Sequence, residues 1–190
     1  MKHAACSILT ALLLAPGASA QGLVFSVAPE ASTVAFSLGA TMHTVQGTFH
    51  VQQGSVRFEP GAPGLSGSIV VAAASGRSGN GIRDRKMTSK ILEEARFPDI
   101  SFAPARYQGA LAASGDSEIL VTGVFTLLGN AHDLTVPMQI HIEGTGLTAK
   151  ARFTVPYVQW GVKDPSLLVV RVAKEVEIRL SLQGTLAPAD

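Results

Sequence analysis

Thiols, charge and aromatic rings are scarce in this chain. Cys6 is the only cysteine among 190 residues. That excludes an intrachain disulfide and any multi-cysteine zinc or iron–sulfur site. Charged residues make up 15%, well below the ~25% of an ordinary globular protein, which argues against a charge-rich disordered chain. The formal net charge is only +1, whereas a nucleic-acid binder normally shows a strongly basic balance. After the first twenty residues no long apolar run occurs, so no stable membrane insertion through a helix of ~20 residues is expected. What remains is a length that favours one domain with a real core.

Residues 1–20 read as a secretory signal peptide. Lys2 and His3 give a short basic start, Ala4 to Ala15 is mostly apolar, and Ala18-Ser19-Ala20 forms a small-x-small cleavage site before Gln21. Its removal takes away Cys6 and Lys2, which leaves residues 21–190 thiol-free and electrically neutral. The expected location is therefore periplasmic or secreted, where a chain without thiols meets no redox hazard.

Residues 21–190 alternate with a period of two. Leu134, Val136, Met138, Ile140 and Ile142 interleave with Asp133, Thr135, Pro137, Gln139 and His141. Val34, Phe36 and Leu38, then Val45, Gly47, Phe49 and Val51, follow the same rule. So do Ala149, Ala151, Phe153 and Val155, and later Val176, Ile178, Leu180 and Leu182. Strands with one apolar face belong to antiparallel sheets. Further strands are expected at Val24–Val27, Ser55–Glu59, Ser68–Ala74, Ile100–Tyr107 and Glu118–Leu127. Turn signals, among them Gly129-Asn130 and Gly144-Thr145-Gly146, separate them. One helical excursion is expected from Asn80 to Ala95, with Ile82, Met87, Ile91, Leu92 and Ala95 on one face and Pro98 as its stop. The expected class is all-β: a closed barrel or a two-sheet sandwich, the barrel also removing free edges. Small inward residues leave room for one ligand inside roughly eight strands, but periodicity alone does not separate a cavity from a filled core.

Several motifs then fall in order. Gly47-Thr48-Phe49 precedes Gly54-Ser55-Val56-Arg57-Phe58. Arg83-Asp84 with Met87 precedes Phe97-Pro98 and Phe102. Val121-Thr122-Gly123-Val124-Phe125-Thr126-Leu127 runs to Gly129, and Trp160-Gly161-Val162 comes after it. Together these resemble the YceI-like family of secreted lipid-binding proteins, over nearly all of residues 21–190. The chain departs from that family at Ala31-Ser32-Thr33, where a His is common, and at Ile91-Leu92, where paired Phe is common. The resemblance implies an eight-stranded antiparallel, lipocalin-like barrel holding an apolar chain lengthwise, with no metal, no cofactor and no catalysis.

Other constellations are weaker. Arg77, Arg83, Arg85, Lys86 and Lys90 form the one basic cluster, read either as a patch for an anionic headgroup or as the solvated face of a short helix with Arg83 and Asp84 in structural pairings. The histidines show no metal-ligand spacing. Gly76 to Gly81 lacks the order of a phosphate loop and reads as a flexible loop, or a lid, ahead of a helix N-cap. Trp160 and Tyr157 read either as lining one end of the cavity, at a boundary between apolar and wet surroundings, or as ordinary core residues with a hydrogen-bonded tip.

The resulting expectation is a non-enzymatic carrier or sequestering protein for a long isoprenoid or other apolar lipid. Its ligand-binding residues are expected to be Phe36, Phe49, Phe58, Phe102, Phe125, Met138, Phe153 and Trp160, in an interior without ionisable groups. Two alternatives stand beside it. One is an enzyme using His132, Asp133 and His43 at the rim, which requires two of them within hydrogen-bond reach. The other is a structural or interaction module with a filled core, which a cavity of ~300 Å³ or more would exclude. Exposed edges near the termini permit a homodimer without requiring one.

Overall fold

The computed structural model describes residues 21–41, 43–166 and 171–189. The expected signal peptide, residues 1–20, lies outside them. Ten strands occur in chain order: β1 (Leu23–Val27), β2 (Thr33–Gly39), β3 (Thr44–Phe49), β4 (Val51–Phe58), β5 (Leu65–Ala72), β6 (Asp99–Gln108), β7 (Gly115–Leu127), β8 (Asn130–Glu143), β9 (Gly146–Val155) and β10 (Val176–Pro188). All pairings are antiparallel, and they close into a ring.

The ten strands make eight staves. β10 is long enough to pair with β2 along Glu177–Ser181 and with β1 along Gly184–Pro188. β1 and β2 are thus two segments of one bent stave, joined through the short helical turn Pro29–Ala31. β3 and β4, separated only by His50, form the next stave, β3 against β2 and β4 against β1. The terminal strands are paired on both sides, so the exposed edges expected near the termini are closed. Among the described residues no helix is long and apolar enough to cross a membrane.

Two irregularities keep the apolar residues inward. The register shifts between Val51 and Gln53, and again between Pro104 and Arg106. Each inserts a residue and flips the facing of the rest of its strand. Phe49 and Phe58, nine positions apart, therefore both pack on the core cluster, as do Phe102 and Tyr107. Glycine serves close approach at Gly47, where an added Cβ would collide with the Phe36 ring and the Arg77 carbonyl. Its absence lets Phe36 lie across the facing strand, 5.4 Å from Phe49 between ring centroids. Gly123 does the same for Phe102.

The chain does not match expectation everywhere. The helical excursion is shorter: α1 (Gly81–Lys86) passes into a π-helical turn at Met87–Ile91, well before Pro98. Asn80 caps α1, its side chain accepting from the backbone N–H groups of Ile82 and Arg83. Ile82 is 75% exposed. It precedes Met87 by five residues, which at ~100° per residue sets it ~140° away from that face. The hairpin between β7 and β8 turns on Leu128 and Gly129, both at positive φ, rather than on Gly129-Asn130. Gly76-Arg77 is not a free loop either. Arg77 exchanges backbone hydrogen bonds with Thr48 at 2.8 and 2.9 Å, adding a rung beside β3.

Candidate functional site

The staves run between two unlike ends. At one end the connections are short: Gly144-Thr145 between β8 and β9, and loops at 59–64 and 109–114. There Phe25, Phe58, Tyr107, Ile119, Ile140, Leu147 and Leu182 fill the interior, leaving a void of about 70 Å³. At the other end two connections are long, at 73–98 and 156–175, beside the tight Leu128-Gly129 turn and the short β2–β3 connection. There the barrel holds a cavity of about 470 Å³, open at the rim. Ile69, Phe102 and Met138 face both spaces and form the partition between them.

The wall of the upper cavity is built from inward strand positions, such as Val34, Phe36 and Leu38 of β2, Val71 of β5 and Phe153 and Val155 of β9. Met87, Ile91 and Leu92 close it from the α1 side. Six of the eight expected residues line it: Phe36, Phe49, Phe102, Phe125, Met138 and Phe153. Phe58 lies in the filled half, because β4 continues the stave of β3 downward. Trp160 is not in the wall. It sits on the 156–175 connection, stacked on His132 at 4.3 Å between centroids and 5.6 Å from Phe125. The His132 Nε2 is buried there without a hydrogen-bond partner among the described residues.

Ionisable groups do reach the interior, contrary to the expectation from the sequence. Tyr157, His43, Arg83 and Lys86 line the cavity, the last three from the rim turn before β3 and from α1. Strand alternation does not reach these segments, so the signal was the basic cluster alone. Tyr157 directs its hydroxyl away from chemistry: it donates to the Ala173 carbonyl at 2.6 Å. Burial, and then the Asp164 carboxylate, push the Tyr157 phenol up to about 12. Arg83 and Asp84 are in structural pairings. Arg83 donates from Nε to the Ser78 hydroxyl at 2.7 Å and from Nη2 to the Ser78 carbonyl at 2.8 Å. Asp84, buried, accepts from the Ser78 hydroxyl and backbone N–H.

The rim residues His43, His132 and Asp133 do not assemble. No hydrogen bond joins any two of them among the described residues. His132 and Asp133 are consecutive on β8, so their side chains leave on opposite faces. No group of three or more metal-ligating side chains occurs among the described residues.

A closed barrel of eight antiparallel staves, filled at one end and hollow at the other, defines a lipocalin-like class of β-barrel. Within that class the chain belongs to the YceI-like family, whose domain model matches residues 25–184. Solved structures share the fold. BcnA of Burkholderia cenocepacia is 24% identical, with a TM-score of 0.68 over 84% of this chain and 99% of that one. A polyisoprenoid binding domain from Saccharophagus degradans, implicated in plant cell wall breakdown, is 16% identical, with a TM-score of 0.67 over 85% and 98%. The YceI protein of Campylobacter jejuni is 11% identical, with a TM-score of 0.56 over 97% and 98%. No curated protein sequence matches the chain.

Proposed function

We propose that this protein binds an apolar, polyisoprenoid-like lipid in the upper cavity and carries or sequesters it without chemical change. The observation that carries this reading is the cavity itself: about 470 Å³, open at one end, with a wall that is apolar except at its rim. That volume lies within the ~300–1,000 Å³ of ordinary small-molecule sites and speaks against a module with a filled core. An apolar chain entering it gains ~25 cal/mol for each Å² removed from water, so ~300 Å² supplies roughly 7 kcal/mol before ordering costs. The Saccharophagus degradans neighbour, named for polyisoprenoid binding, supports the same ligand class. The unassembled rim histidines and the engaged Tyr157 hydroxyl support binding over catalysis. Export through residues 1–20 would place this activity in the periplasm or outside the cell.

Mass spectrometry of lipid extracted from natively purified protein tests the proposal. A stoichiometric apolar lipid is expected. A barrel that is empty on purification, and that takes up neither long isoprenoids nor fatty acids, overturns it.

A further inference from the structure

The cavity is apolar along its depth and cationic at its mouth. Arg83 and Lys86 line it, and among the described residues no Asp or Glu does. They stand three residues apart on α1, which puts them on neighbouring positions of one helix face. Asp84, between them in the chain, lies off the cavity wall and is joined to Arg83 through the shared Ser78 hydroxyl, so it offsets Arg83 in part and leaves Lys86 the cation without a counter-charge among the described residues. Lys86 makes no hydrogen bond or ion pair among the described residues. Its stem adds to the apolar wall, while its ammonium stays at the water boundary. Arg83 is half-buried and held by Ser78 at two of its five N–H donors. The others are uncommitted among the described residues. A fixed guanidinium beside a free ammonium, at the depth where a tail-inserted lipid ends, suits an anion.

We propose that the occupant is an amphiphile with a terminal acidic head, a carboxylate or a phosphate, held at the mouth by Lys86 and Arg83. This rests on the reading of the cavity as a lipid site and adds the chemistry of the head. Hydrogen bonds between ionised partners are about twice as strong as neutral ones. Ser78 fixes Arg83 before binding, which reduces the ordering cost.

The test displaces Nile red, a neutral dye, from the full-length mature protein with three competitors of one chain length: hexadecanoic acid, hexadecyl phosphate and hexadecanol. Either acid is expected to compete roughly tenfold better than the alcohol, as one charge-assisted hydrogen bond provides. The order of the two acids then identifies the head. In Lys86→Gln the acid-to-alcohol ratio is expected to fall severalfold, Arg83 keeping the remainder, and in Lys86→Glu to fall to one or below; an unchanged ratio in both variants overturns the assignment to Lys86. Lys150→Gln, an exposed cation on the barrel wall away from the mouth, should keep the full ratio. Equal competition by acids and alcohol in the unaltered protein overturns the headgroup assignment while leaving lipid binding intact. A protein that binds neither dye nor competitor overturns both.

Discussion

The two halves of the barrel share staves, strand direction and inward apolar phase, yet one is packed and the other hollow. β8 carries both conditions along one strand. Ile140 and Ile142 are buried in the filled half, whereas Val136 and Met138 border the cavity four residues earlier. Aromatic content does not explain the contrast, since Phe36, Phe49, Phe125 and Phe153 all stand in the hollow half. What differs is the closure. At one end no connection exceeds six residues, and large side chains meet across the axis. At the other end two long connections begin and end at the opening, and apolar residues of their described parts, among them Met87, Ile91, Leu92 and Val162, line the cavity in place of a packed plug. A cavity here is a property of the loops as much as of the strands.

The sharpest way to break this comparison is to delete matched side chains. Leu182, 1% exposed, sits in the filled half. Leu182→Ala is expected to cost about 2–5 kcal/mol, because packed neighbours relax only partly into the vacated space. Leu38 already borders the cavity. Leu38→Ala merely widens it and should cost about 1 kcal/mol, since fewer contacts are lost. Urea unfolding with an unchanged slope gives both numbers. Equal losses would mean that the hollow half is packed in solution.

Adding volume sharpens the same contrast from the other side. Ala149 is buried in the filled half, and Ala149→Phe should cost about 1–3 kcal/mol or more through overpacking. Val71 faces the cavity. Val71→Phe should leave the unfolding midpoint nearly unchanged and reduce Nile red uptake by displacing ligand volume. A Val71→Phe protein that unfolds as readily as Ala149→Phe would contradict an open cavity.

The sequence made some of this legible. Period-two alternation runs unbroken through β8 and the upper part of β10, so strand identity and facing can be read directly from residue order. Closure into eight staves was reached through the motif resemblance, and the structure explains two of those motifs: Gly47 and Gly123 give Phe36 and Phe102 room to lie across a facing strand. The hollow half was not legible, because inward residues of both halves are equally apolar. Phe49 and Phe58 read alike in sequence, and only their depth along one stave separates them. Nor was the rim. Trp160, Tyr157, Arg83 and Lys86 sit on segments without strand periodicity, where position depends on the π-helical turn at Met87–Ile91 and on bonds such as Tyr157 to Ala173.

That bond offers the smallest and most local test. The Tyr157 hydroxyl ties the two legs of the 156–175 connection across the open end, reaching the Ala173 carbonyl at 2.6 Å. Tyr157→Phe removes one hydrogen bond and should cost about 1 kcal/mol at neutral pH. The Tyr157 phenol is raised from 10.0 to about 12, so the fold favours its neutral form. Its contribution is therefore complete below about pH 10 and is lost as pH rises through about 12. The gap between the two proteins should stay constant from about pH 7 to about pH 9, then narrow as the unaltered protein alone meets the cost of keeping a phenol protonated. Tyr107 and every basic side chain are common to both proteins, so the difference isolates Tyr157. A gap that widened with pH, or held level to about pH 12, would mean that the connection is anchored elsewhere and that the open end does not depend on this strap.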